Sequence, residues 1–215
     1  KALAITLAAV MAMGTCAVTA SAADGDTYTI GICQLVQHVA LDAATQGFKD
    51  EVTKELGEDA VTFDEQNAQG DSNTCSTIVN SFVSNNVDLI LANATPALQA
   101  AAAGTSDIPI LGTSVTEYGV ALGLDDFDGT VGGNISGTAD LAPLDEQAAM
   151  LNELFPDAKN VGLLYCSAEA NSQYQVDEVN KFLTAMGYEC ENRAFSDSND
   201  LSSVVTTAAA DFDVI

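Results

Sequence analysis

From Tyr28 onward, short apolar runs rich in β-branched residues alternate with stretches whose apolar residues recur at helical spacing. That alternation restricts the fold more than any other property of the chain. A strand buried on both faces reads as a continuous apolar run, and two such strands joined by a helix lie parallel, the helix crossing over one face of the sheet. The runs predict strands at Tyr28–Gln34, Val61–Gln66, Val87–Ala92, Ile108–Gly112, Asn160–Cys166 and Tyr188–Phe195. Between them, Ile78, Val79, Phe82 and Val83 make one helical face, and Val176, Val179, Leu183 and Met186 make another. Gly57 and Gly187 stand where helix C-terminal caps belong, and Thr95 before Pro96 reads as a hydroxyl N-cap with proline at the first helical position. The predicted fold class is α/β, with parallel sheets flanked by helices.

The texture changes over Asp125–Gly137, where Gly, Asp and Asn replace the periodic pattern. The rhythm restarts with Pro143 opening a helix whose apolar face is Leu144, Ala148, Leu151 and Phe155. This predicts a hinge between two similar lobes, the first over residues 28–136 and the second over 137–215. Phe212–Ile215 reads as the start of a further buried strand, so the second lobe is expected to be incomplete in this chain. Residues 1–22 read as an export signal: Lys1 is the basic start, Ala2–Ala12 the short apolar run, and Ala20, Ser21 and Ala22 a small-residue cleavage site. Cys16 offers a second reading, a lipid-modified N-terminus followed by a tether of small residues. Either way the mature protein is expected outside the cytoplasm, free or lipid-anchored.

Among its 215 residues the chain carries 31 acidic and 6 basic ones, a formal charge of −25. Such a surface repels nucleic acid phosphates and anionic membranes, which excludes a nucleic-acid role; it keeps an exported protein soluble or steers a cationic partner. No metal is expected, because His38 is the only histidine and the cysteines lack the paired spacing of a zinc site. Cys33 and Cys75 both belong near one edge of the sheet, where they either pair as a disulfide or stay buried as free thiols. A triad of His38, Cys166 and an Asp can be drawn, but no spacing selects it. Nucleophile elbow, phosphate loop and dinucleotide glycine pattern are all missing, so neither catalysis nor a cofactor is predicted.

Polar residues gather after four of the strands, at Gln34–His38, Gln66–Ser72, Asn93–Pro96 and Thr113–Tyr118. In an alternating fold these loops leave the sheet along one edge, the edge where such folds bind ligands. No basic residue occurs from Glu55 to Ala158. An anionic group held there must therefore rely on neutral donors and helix N-termini. The helix start at Thr95, with the hydroxyls of Ser114 and Thr116, can surround one carboxylate. From the second lobe, Asp140 and Glu169 can face an ammonium, with Asn171 as a further hydrogen-bonding group.

The segments IGICQLVQH (Ile30–His38), LDAATQGF (Leu41–Phe48), QNAQGD (Gln66–Asp71), DLILANATPALQAA (Asp88–Ala101), IPILGTSVT (Ile108–Thr116) and GLLYCSAEANS (Gly162–Ser172) resemble a family of ABC-transporter substrate-binding proteins. That family includes receptors for tryptophan and other aromatic or apolar amino acids, and the resemblance runs from about Tyr28 to the end of the chain. It implies a two-lobed fold of the type I periplasmic-binding-protein kind, a monomer that closes on a small amino-acid-like solute and presents it to a membrane permease. By the same resemblance Thr95, Ser114 and Thr116 form the carboxylate end, Asp140, Glu169 and Asn171 the facing wall, and Gln34, His38 and Gln66 flanking members. The chain departs from the common pattern at Glu117 and Tyr118, where many members continue with Asp and Pro, and at Thr138 and Ala139 before Asp140. An extracytoplasmic hydrolase or a sensor domain using the same cleft is the alternative.

Export with cleavage after Ala22 is checked by N-terminal sequencing of secreted material. The expected first residue is Ala23; a chain beginning at a lipidated Cys16, or retaining Lys1, rejects the expectation.

Overall fold

The computed structural model describes residues 27–215, so the expected export segment and Cys16 lie outside the described residues. In chain order the elements are β1 (Tyr28–Gln34), α1 (Val39–Leu56), β2 (Val61–Asn67), α2 (Ser72–Ser84), β3 (Leu89–Asn93), α3 (Thr95–Gly104), β4 (Ile110–Val115) and α4 (Tyr118–Leu122). They continue as β5 (Ile135–Ala139), α5 (Leu144–Leu154), β6 (Asn160–Cys166), α6 (Ala170–Ala185), β7 (Glu189–Phe195) and α7 (Ser198–Asp211). Five strands form one sheet in the order β2-β1-β3-β4-β5, all neighbours parallel. A second sheet pairs β6 with β7, also in parallel, and Val214 bridges to Val161 on the other side of β6.

The period of two along the central strands divides the first core. Ile30, Ile32 and Leu91 pack on one face with Phe48 and Val52 of α1. Cys33, Ile90 and Ile110 pack on the other with Ile78, Val79 and Phe82 of α2 and Ala97, Leu98 and Ala101 of α3. The second lobe buries Ala148, Val161, Leu163, Val176, Leu183 and Tyr188. Each fully buried Leu, Ile or Phe contributes roughly 1.5–3 kcal/mol, so most of the hydrophobic stabilisation among the described residues falls in the first lobe. The cap glycines behave as expected: the Gly57 N–H donates to the Thr53 carbonyl, and Gly187, at φ 99°, donates to that of Thr184.

Besides shifts of one or two residues at the ends of β2, β3 and β7, the structure departs from the sequence reading at four places. β5 arises inside the stretch read as a hinge; it is a mostly exposed edge strand, and without a buried face it shows no apolar run. The expected division between residues 136 and 137 therefore falls within a strand of the first sheet. β4 starts later than expected and runs on to Val115 through an irregularity between Gly112 and Val115, with Ser114 at φ 54°. α3 has Ala94, not Thr95, at its N-cap, because the Ala94 N–H still donates to Thr113 O across the sheet and the helix begins only after it. Phe155 and Met186, expected on buried faces, are at the C-caps of α5 and α6 and stay about half exposed.

Gly112 and Gly137 stand opposite each other in the β4–β5 ladder, and the phenol of Tyr118 lies across both, so that a Cβ on either would overlap its hydroxyl. The hydroxyl donates to the Thr138 carbonyl at 3.3 Å. This seat ties the edge strand that leads to the second lobe onto the body of the first. Gly112→Ala is expected to destabilise the protein by about 1–3 kcal/mol through overpacking. Combined with Tyr118→Phe, the loss should be smaller than the sum of the two single losses, as read by denaturant unfolding.

Candidate functional site

The register of the first sheet sets Gln34, Asn93 and Thr113 side by side at the carboxyl ends of β1, β3 and β4. Their side chains do not simply face solvent. Gln34, only 4% exposed, donates to the Val36 carbonyl at 2.9 Å and to Asp42 Oδ1 at 2.6 Å, and accepts from the Thr45 hydroxyl at 2.7 Å. Asn93 Nδ2 donates to the Leu41 carbonyl and to Thr45 Oγ1, both at 2.9 Å. The Gln34 amide is thus engaged within the protein, holding the start of α1. His38 caps the same helix, its Nδ1 accepting the Ala40 N–H at 3.2 Å on an exposed surface. Gln66 lies on the edge strand β2 and donates to Asp64 Oδ1 at 3.0 Å, outside the cleft lining.

Strain collects at this edge. Gln69, Ala94 and Ser114 all follow or end strands of the first sheet and have φ of 56°, 93° and 54°, a region where non-glycine residues are costly. Next to Ala94, Thr95 is 2% exposed and its Oγ1 has no hydrogen-bond partner in the protein. Thr116 is buried after β4, and Ser114 half-buried within it. α3 begins here with Pro96 in its first turn and with no side chain capping its N–H groups. Its positive end therefore carries no side-chain capping partner.

The second wall is the carboxyl end of β6 and the first turn of α6. Glu169 is the N-cap residue of α6, yet its carboxylate accepts no helix N–H; its nearest partner is the Ser172 hydroxyl at 3.5 Å. Asn171 Oδ1 is buried without a partner. Asp140 is exposed just beyond β5, its backbone N–H donating to the Val115 carbonyl at 3.0 Å. Between the walls lies a cleft of about 1130 Å³, bordered by Leu35, Gln69–Ser72 and Pro96 on one side and by β6, α6 and the start of α7 on the other. Part of this volume is the apolar face over Leu163, Val176 and Val179 of the second lobe.

Of the nine residues expected from the sequence, Glu169 is on the cleft lining itself, and Thr95 adjoins it through Pro96. Three acids border the cleft, and two are engaged as helix caps. Asp71 accepts the Thr74 N–H and Asp197 the Asn199 N–H, each at 2.7 Å. Glu169 is left as the carboxylate with spare capacity. Among the described lining residues there is no Lys, Arg or His. Sequence reasoning missed Gln147, Gln175 and the Ser196–Ser198 loop. That last loop follows β7 as the recognised clusters follow their strands, and the same rule would have found it. Gln147 and Gln175 lie on helices α5 and α6, where polar residues carry no comparable mark.

A sequence profile of the ABC transporter substrate binding protein family matches residues 29–215. The chain is 38% identical over 190 residues to a tyrosine-binding protein of Clostridioides difficile (strain R20291), covering 86% of this chain and 54% of that protein. It superposes on the ABC domain in complex with L-Trp from Streptococcus pneumonia with a TM-score of 0.82 at 32% identity, covering 88% of this chain and 65% of the other. The ligand-free, open structure of a substrate binding protein with adhesive properties from Clostridium difficile gives a TM-score of 0.60 at 36% identity, with coverages of 87% and 64%. The chain spans about half the length of the curated relative and just under two thirds of these two solved chains. Among the described residues no helix is long and apolar enough to cross a membrane, and no group of three or more His, Cys, Asp or Glu could hold a metal ion.

Burial, and then the negative charge of Asp140, push the Tyr118 hydroxyl up to about 12, against a smaller opposing effect of its bond to Thr138. A phenol that ionises later in the folded than in the unfolded chain contributes stability that is whole below the unfolded value near 10 and is lost as pH climbs toward 12. Alkaline titration followed by tyrosine absorbance should show one late step that Tyr118→Phe removes. Over the same window the wild type should lose on the order of 2 kcal/mol of stability, and the variant should lose less.

Proposed function

This chain belongs to the ABC transporter substrate binding protein family, and from that premise we propose that it serves as an extracytoplasmic receptor. In this proposal two lobes close on a small amino-acid-like ligand with an aromatic or apolar side chain and deliver it to a membrane permease. The protein itself does no chemistry; it works by a ligand-driven shift between open and closed arrangements.

The observation that carries the proposal is two of the three buried side-chain oxygens without partners among the described residues, Thr95 Oγ1 from the first lobe and Asn171 Oδ1 from the second, the third being Asn93 Oδ1 at the end of β3. A buried polar atom left unsatisfied costs about 1–3 kcal/mol, which a ligand's own polar group recovers on binding. The start of α3 with Thr95, Ser114 and Thr116 is suited to one carboxylate, through hydroxyls and uncapped N–H groups. Glu169, with Asp140 and Asn171 as further members of the same wall, is suited to the ammonium. A second anionic group would enter a cleft lined by three carboxylates and no described cation, which disfavours phosphates and dicarboxylates. In the same proposal Gln34 and His38 act through α1, and Gln66 through β2, by holding the loops that flank the ligand.

Two comparisons support the ligand class and the closed arrangement. The relatives named above bind tyrosine and L-Trp. At similar identity and coverage, the likeness is much greater to the L-Trp complex, 0.82, than to the ligand-free open structure, 0.60. That contrast fits lobes disposed as they are around a bound amino acid.

Calorimetric titration of the full-length protein with tyrosine, tryptophan and phenylalanine tests the proposal. Thr95→Ala should remove a charge-assisted hydrogen bond worth roughly 1.5–3 kcal/mol, a loss of about tenfold to a hundredfold in affinity. Glu169→Gln should weaken amino acids while leaving analogues without the amine little changed. A protein that ignores all twenty amino acids, or that binds one with Thr95→Ala unaffected, would overturn the reading.

A further inference from the structure

Two thiols behind the cleft wall have no role in the lining. Cys33 and Cys75 are both 0% exposed and belong to the same core cluster. Cys33 is on β1, on the strand face it shares with Gly31 two residues earlier. Gly31 lies under Phe82 of α2: a Cβ there would meet the ring at 2.7 Å. Phe82 and Cys75 are seven residues apart on α2, about two turns, and so share one helix face. α2 starts at the carboxyl edge of the sheet and runs back over it, so moving from Phe82 to Cys75 is a move toward the end of β1 where Cys33 sits. The titration of the thiols agrees with this contact. Cys33 is pushed well above the thiol range, first by the Cys75 thiol and then by burial, while Cys75 is lowered, chiefly by Cys33 and against burial and Asp71.

The other two cysteines among the described residues offer no such pairing. Cys190 stands opposite Val161 and Cys166 opposite Phe195, at opposite ends of the β6–β7 ladder. A disulfide needs Cα atoms within about 7 Å, which that separation forbids.

We propose that Cys33 and Cys75, free in this structure, are an oxidisable pair whose disulfide bolts the first turns of α2 to the end of β1, directly behind the cleft residues Gln69–Ser72. The oxidant is an external disulfide. The Cys75 thiolate attacks one of its sulfurs and releases the first thiol, leaving a mixed disulfide on Cys75. The Cys33 thiolate then attacks the Cys75 sulfur, forming the internal bond and releasing the second thiol. Two protons and two electrons leave the pair, and the external disulfide is reduced to two thiols. Exchange takes place while the core is still open during folding, since a fully buried thiol is inert. The physiological occurrence of the bond rests on the extracytoplasmic reading above, because oxidising compartments are where such bonds persist; the pairing itself does not depend on ligand binding.

The test is to refold full-length protein with oxidised glutathione or with a reductant, then to map peptides without reduction after blocking remaining thiols. The expected result is a Cys33–Cys75 cross-linked peptide, with Cys166 and Cys190 blocked as free thiols. Oxidised wild type should melt roughly 5–15 °C above the reduced protein, the effect of closing a long loop. Cys75→Ser should abolish both the cross-link and the redox dependence of melting. Should that variant fold poorly, the double variant Cys166→Ser with Cys190→Ser decides, because it must keep both. Complete blocking of Cys33 and Cys75 after oxidative refolding, cross-links to Cys166 or Cys190, or equal melting of oxidised and reduced wild type would overturn the proposal. Ligand titration of the two forms separates this result from the receptor reading, since a cross-linked protein that binds no amino acid refutes only the latter.

Discussion

The hydrogen bonds that join Gln34, Thr45 and Asn93 hold together the end of β1, the end of β3 and the first turns of α1. The backbone carries the same order past the strands. Leu35 N–H donates to Asn93 O, Ala68 N–H to Gln34 O, Gly70 N–H to Leu35 O, and Ala94 N–H to Thr113 O. The loops at the carboxyl edge are therefore continuations of the sheet, each fixed by its neighbour. In the low dielectric of the core each bond strengthens the rest, and the loss of one partner leaves another buried group unsatisfied. This rigidity is what allows Ala94 and Ser114 to be kept at positive φ. Strain of that kind persists only where the surroundings leave the backbone no alternative.

Two strands were legible to the residue. Tyr28–Gln34 and Asn160–Cys166 are buried enough that their apolar runs end where their ladders end. β5 was not, because Gly137, Thr138 and Ala139 are exposed on an edge and nothing selects apolar residues there. The strand exists for another reason: Tyr118 lies across Gly112 and Gly137, a long-range contact with no local mark in the sequence. The site divides similarly. That the polar clusters share one edge followed from topology alone. Which of their side chains are available for a ligand did not, since Gln34 and Asp71 look as free in sequence as Thr95 and Glu169 do. Only the tertiary partners distinguish them. Gln34 is saturated by Val36, Asp42 and Thr45, whereas Thr95 Oγ1 has no partner.

Electrostatics and topology then converge. The described cleft lining holds no Lys, Arg or His, and two of its three acids, Asp71 and Asp197, are engaged as helix caps. In the proposed site, what remains for a ligand is the positive end of α3 on one wall and the Glu169 carboxylate on the other. These are opposite partial or full charges on two separate bodies, and a molecule bearing both a carboxylate and an ammonium answers both.

A receptor must also release what it binds, and the use of neutral donors bears on that. A buried guanidinium stripped of its anion would carry a desolvation penalty of several kcal/mol, so an empty closed site built on charge would be costly and its ligand slow to leave. A hydroxyl such as that of Thr95 left unpartnered costs about 1–3 kcal/mol. That is enough to favour the filled site yet small enough for the empty one to remain folded. In the receptor proposal the penalty falls mainly on the closed arrangement, opening of the lobes letting water reach the same oxygens. The closed empty state is thus disfavoured relative to both the open empty and the closed filled states, by the differential interaction that a ligand-driven closure requires. In that proposal neutral hydroxyls after β3 and β4 and the Glu169 carboxylate at the start of α6 supply that differential.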